Sequence, residues 1–97
     1  MRRLELSVDA DRDIERLLSW GTLQFGEAAA DRYHFSFQST FDLLMRHPHT
    51  GARYEEVAHE LRVFRHKSHR IFYLVEEDRL LIVRVLHHAM DAPRLLE

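Results

Sequence analysis

The sequence predicts an α+β fold of order β-α-α-β-β-β, with an N-terminal strand and a helical hairpin packed on a mainly antiparallel sheet. Three observations predict it. Two long stretches in the first half repeat apolar residues at helical spacing. Three short runs in the second half are rich in branched and aromatic residues. The links between those runs are only two or three residues long, which suits hairpins.

The elements follow in chain order. Residues 3–8, RLELSV, alternate, with Leu4, Leu6 and Val8 on one side, and read as a short strand. In the DADRD that follows, Asp9 or Asp11 can cap a helix, and acids suit its first turn. Residues 10–24 then carry Ile14, Leu17, Leu18 and Gly21 at i, i+3, i+4 and i+7, one apolar stripe. Gly26 breaks that pattern. A second helix spans 27–46, where Ala30, Tyr33, Phe37, Phe41, Leu44 and Met45 keep the spacing expected of core positions. It ends at HPHTG, because Pro48 disfavours helical geometry at His47 and Gly51 allows a turn. Residues 52–60 are polar and irregular, with room for one helical turn. Strands are expected at 61–66, 70–76 and 79–87, joined by KSH and ED turns.

The chain has 97 residues, which suits one domain over 1–97. Its net charge of −2 excludes a uniformly basic nucleic-acid binder, so direct sequence-specific DNA or RNA contact is not expected. Positive charge is local instead. LRVFRHKSHRIFY, residues 61–73, holds Arg62, Arg65, Lys67 and Arg70 and no acid. That run fits either a solvated hairpin rim or a surface for an anion or acidic partner. With no cysteine, disulfides, thiolate catalysis and cysteine-ligated zinc are excluded. The N-terminus lacks the apolar run of a signal peptide, and no stretch is long enough to span a bilayer, so a cytoplasmic protein is expected.

Strand parity over 79–87 puts Leu81, Val83, Val85 and His87 on one side and Leu80, Ile82, Arg84 and Leu86 on the other. Two helices cover one face of a sheet. The second apolar face is then either a partner surface or is covered by the tail or by residues 52–60.

The eight histidines are the chain's first candidates for metal or acid–base chemistry. On a strand His87 and His88 point to opposite faces and cannot share an ion. His47 with His49, and His66 with His69, lack partners at ligand spacing, so no metal or other cofactor is expected. There is no GxSxG, P-loop or GxGxxG. Ribonuclease chemistry is permitted by the arginines and histidines but not demanded by them.

The last third, LRVFRHKSHRIFYLVEEDRLLIVRVLHHAMDAPRLLE, resembles the end of ParE-type toxins of the RelE/ParE superfamily. The matching features are Arg62, the run His69 to Tyr73, the acids Glu76 to Asp78, the run Ile82 to His87, and Met90, Asp91 and Arg94. The first half is similar as well, through its helix, its Gln24-Phe25-Gly26 joint, its second helix and the HPHTG loop. The resemblance implies a RelE/ParE-like fold and the toxin of a type II toxin–antitoxin module used in plasmid stabilisation. It implies action by protein binding, on DNA gyrase, without catalysis. It also implies neutralisation by a ParD-like antitoxin with a helix-forming acidic or amphipathic tail, in a heterotetramer. Candidate antitoxin- or target-binding residues are Arg62, Arg65, Arg70, Arg84, His87, Met90, Asp91 and Arg94. The alternatives are a RelE-like mRNA endoribonuclease and a degenerate toxin that only binds its antitoxin.

Overall fold

The structure is a computed structural model and describes residues 2–57 and 60–96. Strand β1 (Arg3–Leu6) leads into helices α1 (Val8–Phe25) and α2 (Glu27–Arg46). Strands β2 (Ala52–Tyr54), β3 (Leu61–His66), β4 (His69–Val75) and β5 (Arg79–His87) follow, and α3 (Ala92–Leu95) closes the described chain. One sheet runs in the order β1-β5-β4-β3-β2. β1 lies parallel to β5, and every other pairing is antiparallel. This is the expected α+β architecture with one more strand. No helix among the described residues is long and apolar enough to cross a membrane.

Helix α1 starts two residues earlier than its apolar stripe suggests. Its cap is Ser7, not Asp9 or Asp11: the Ser7 hydroxyl accepts from the Ala10 amide at 3.0 Å and donates to the Val83 carbonyl at 2.7 Å. Asp9 and Asp11 lie in the first turn, where their charge suits the helix dipole. Gly26 joins the helices with φ of 86°, a left-handed conformation that side chains resist. The hairpin lays Ala10, Ile14 and Leu17 of α1 and Phe37, Phe41 and Leu44 of α2 on Ile71, Tyr73, Leu80, Ile82 and Val85 of the sheet.

Residues 52–54, read from sequence as irregular, pair antiparallel with β3. Their pattern is too short and polar to declare a strand, and the partner strand imposes it. Ala58 and His59, in the same irregular stretch, lie outside the described residues. The loop before β2 is fixed by a buried tyrosine. Tyr73 accepts from the Gly51 amide at 2.9 Å and donates to the Pro48 carbonyl at 2.7 Å. A Cβ at Gly51 would stand 2.5 Å from that hydroxyl oxygen, so only glycine fits there.

Simple parity fails along β5 because of a bulge. Phe72 pairs with Arg84 but Tyr73 pairs with Ile82, so Val83 is an inserted residue. Leu80, Ile82 and Val85 therefore share the helix side, while Val83 and Leu86 belong to the opposite cluster. That opposite face is not bare. Ala92 and Leu96 of the tail, with Tyr54 and Val57, pack on Leu61, Phe72 and Leu86. Of the two outcomes left open for this face, the covered one is found.

Candidate functional site

The candidate residues fall into three settings. Arg84 is internal. Its Nε donates to Asp13 Oδ2 at 2.8 Å and its Nη2 to Oδ1 at 2.9 Å, while the Val85 amide adds 2.9 Å to Oδ2. Asp13 is 8% exposed, so the pair is a buried tie between α1 and β5. The carboxylate holds the Arg84 guanidinium pKa above its ordinary value. Its remaining Nη1 reaches the Leu95 carbonyl at 3.3 Å.

Arg62 pairs across the strands with Tyr73, on the helix side, and donates to the Gly51 carbonyl at 2.7 Å. Arg65 and Arg70 are cross-strand partners on the tail side. Arg65 is exposed, its Nε donating to the Lys67 carbonyl at 3.1 Å. Arg70 is half-buried. Its guanidinium stands 5.4 Å over the Phe72 ring, its Nη2 donates to the Met90 carbonyl at 3.2 Å, and its buried Nε has no hydrogen-bond partner among the described residues. Met90, Asp91 and Arg94 are exposed on the tail. Asp91 precedes α3, but its side chain makes no capping bond there. The structure thus joins Arg65, Arg70 and Met90 and separates them from Arg62.

His87 ends β5, and His88 already lies in the following turn. Their rings lie 4.4 Å apart, tilted by 31°. The opposite-face reading therefore fails, because strand alternation stops at His87. The His87 Nδ1 accepts from the Ala89 amide at 3.2 Å, which occupies that lone pair. Among the described residues no group of three or more His, Asp or Glu side chains could hold a metal ion.

Two features were missed by sequence reasoning. The first is an apolar tip on the helical hairpin. Trp20, Leu23 and Phe25 are exposed, and Trp20 meets Phe25 edge-on at 5.7 Å. The signal was present: Trp20 and Leu23 are large apolar residues off the Ile14-Leu17-Leu18-Gly21 stripe. The second is a polar seam between α2 and the β3–β4 hairpin. His66 sits between Ser36 (Nε2 to Oγ, 2.7 Å) and Thr40 (Nδ1 to Oγ1, 2.8 Å), with its ring 4.4 Å from that of Phe37. The Tyr33 hydroxyl meets His69 Nδ1 at 2.8 Å. Burial, helped by His87, His66 and His88, drives the His69 pKa down to about 4. Burial and then Lys67 also lower that of His66. Burial raises that of Tyr33. Here the spacing was visible, since Tyr33, Ser36 and Thr40 recur at i, i+3 and i+7, but their partners are set by the β turn.

Chemically, the arrangement offers exposed guanidinium donors beside a thin apolar tail and an aromatic tip. These are features of a protein-binding surface. His66, by contrast, spends both ring nitrogens inside the fold, and His69 its Nδ1.

Comparison with known proteins agrees with this architecture. Residues 4–92 match the family described as the ParE toxin of type II toxin–antitoxin system, parDE. The toxin ParE1 of Caulobacter vibrioides is 30% identical over 92 residues, covering 95% of each chain. A structure of the chromosomal ParDE system from P. aeruginosa aligns with a TM-score of 0.79 at 18% identity, over 90% of this chain and 96% of that one. A copper-bound mutant toxin from Helicobacter pylori aligns at 0.64 with 19% identity, over 92% and 97%. The two structures speak for the fold, and the sequence matches speak for the family: the chain belongs to the ParE toxins of type II toxin–antitoxin systems.

Proposed function

We propose that this ParE-type toxin acts by binding a protein target, DNA gyrase, and is silenced by a ParD-like antitoxin. The family match across residues 4–92 carries the proposal. The surface supports action by binding. Exposed Arg65 and Arg94, half-buried Arg70 and exposed Met90 make a cationic and apolar rim around the tail. A helix-forming antitoxin segment bearing acids suits that rim, because carboxylates would offer Arg65 and Arg94 charged acceptors in place of water. Trp20, Leu23 and Phe25 offer apolar side chains of the kind that anchor protein interfaces. Arg84 and Arg62 are assigned to the fold, since their guanidinium groups already serve Asp13 and Gly51. His87, beside Met90 in the turn, and Asp91 border the rim.

The test is expression in a bacterial host, alone and together with the protein encoded by the neighbouring reading frame. Expression alone should cause filamentation and DNA-damage signalling while bulk translation continues. Co-expression should restore growth and yield a copurified complex, a heterotetramer by mass. Rapid translation arrest with cleaved mRNA would overturn the binding mechanism and favour ribonuclease action instead.

A further inference from the structure

The seam between α2 and the β3–β4 hairpin has a self-consistent set of proton positions with both imidazoles neutral. Ser36 Oγ lies 2.5 Å from the Tyr33 carbonyl, which can only accept, so Ser36 must donate to it. Ser36 Oγ is then left as an acceptor toward His66, and His66 Nε2 carries the proton. His66 Nδ1 is therefore the acceptor, and Thr40, 9% exposed, donates to it. The Tyr33 hydroxyl, 2.8 Å from His69 Nδ1, can donate to it when His69 is neutral with its proton on Nε2. In this arrangement every donor in the chain Thr40, His66, Ser36 and Tyr33 meets one acceptor, with both imidazoles neutral. A second ring proton would turn Thr40 or Tyr33 from donor to acceptor and take from its O–H the ring nitrogen it donates to.

The groups facing this seam make protonation costly. On the hairpin turn Lys67 stands 5.4 Å from the Tyr33 ring centre. At the end of β5 the His87 ring lies 5.4 Å from His69, with His88 stacked behind it. Asp13 of α1 is the one acid acting on His69, and it is occupied by Arg84. Tyr33 is the titratable group contributed by α2.

We propose that Tyr33, Ser36, Thr40, His66 and His69 form a proton-controlled latch that fastens α2 to the β3–β4 hairpin, closed when both rings are neutral and opened by acid. The latch ties the hairpin tip to the middle of α2, while α1 is held separately by the Asp13–Arg84 tie. Acid therefore releases α2 before α1.

The test uses the full chain labelled with nitrogen-15. Long-range proton–nitrogen spectra recorded from pH 7.5 to 4.5 should show both rings with the proton on Nε2, and His69 still singly protonated at pH 5.5. Amide exchange, corrected for its intrinsic pH dependence, should then quicken in residues 33–41 before it does in residues 10–18. In Tyr33→Phe, which keeps the ring against Phe37, the His69 midpoint should rise. A doubly protonated His69 at pH 6, an Nδ1–H form of either ring, or simultaneous loss of protection in both helices would overturn the latch. So would an unchanged His69 midpoint in Tyr33→Phe. The wild-type spectra decide the matter even if that variant does not fold.

Discussion

The two faces of the sheet are covered very differently. On one, Phe37, Phe41 and Leu44 of a 20-residue helix bury Ile71, Tyr73, Leu80 and Ile82 completely. On the other, Phe72 and Leu86 are buried just as fully, but under Ala92 of a four-residue helix and Leu96, which caps its end. Such a helix cannot stand alone, because nucleation costs more than one turn returns. The helix face is thus a core, whereas the tail face is a core under a thin strap, bordered by arginines. Stability should reside mainly on the first and binding on the edge of the second.

Substitutions can break that contrast. Phe37→Ala should cost about 3–5 kcal/mol, by lost burial and the cavity left behind. Asp13→Ala should cost about 3–5 kcal/mol, because Arg84 would be left without its carboxylate. Both are read from denaturant unfolding, and a loss below about 1 kcal/mol in either would deny the helix face its role. Charge reversal at Arg84 should accordingly unfold the chain before it tests any partner.

Acid offers a smaller effect with a defined sign. The His69 pKa lies at about 4 in the fold, below its ordinary value of 6.5. The unfolded chain therefore binds more protons between those values, and stability falls as pH drops through that window. The loss approaches about 3 kcal/mol at the acid end and should be absent above pH 7. A flat stability profile from pH 7 to 4.5 would contradict the neutral imidazole.

Next comes the loop. Gly51→Ala should cost about 1–3 kcal/mol, since its Cβ must displace the Tyr73 hydroxyl. Leu96→Ala, on the thin side, should cost about 1–2 kcal/mol, less than Phe37→Ala, because it loses a smaller burial at a site that can relax. Equal losses for Leu96→Ala and Phe37→Ala would erase the distinction between the faces. Smallest is Arg65→Glu, expected within about 0.5 kcal/mol of wild type in stability. Its effect should appear in antitoxin affinity instead, as measured by titration calorimetry.

The helices and the three long strands were legible in the sequence because each carries its own period. Ala30, Tyr33, Phe37, Phe41 and Leu44 announce α2 without any partner. What was not legible depends on distant residues. β2 becomes a strand only against β3. The bulge at Val83 shifts which residues share a face, and alternation cannot reveal it. The sequence shows the charge of Arg84 and not its partner, Asp13, 71 positions away. The candidate site was legible as a cationic stretch near the C-terminus. That Arg62 and Arg84 are tied to Gly51 and Asp13, while Arg65 and Arg94 stand exposed, required the fold.

The most direct measurement incubates the purified chain with DNA gyrase, ATP and plasmid DNA, then denatures the mixture and counts cleaved plasmid. Gyrase poisoning predicts linear DNA that increases with toxin concentration and disappears when the antitoxin is added first. Unchanged supercoiling and no cleaved plasmid at saturating toxin would contradict it.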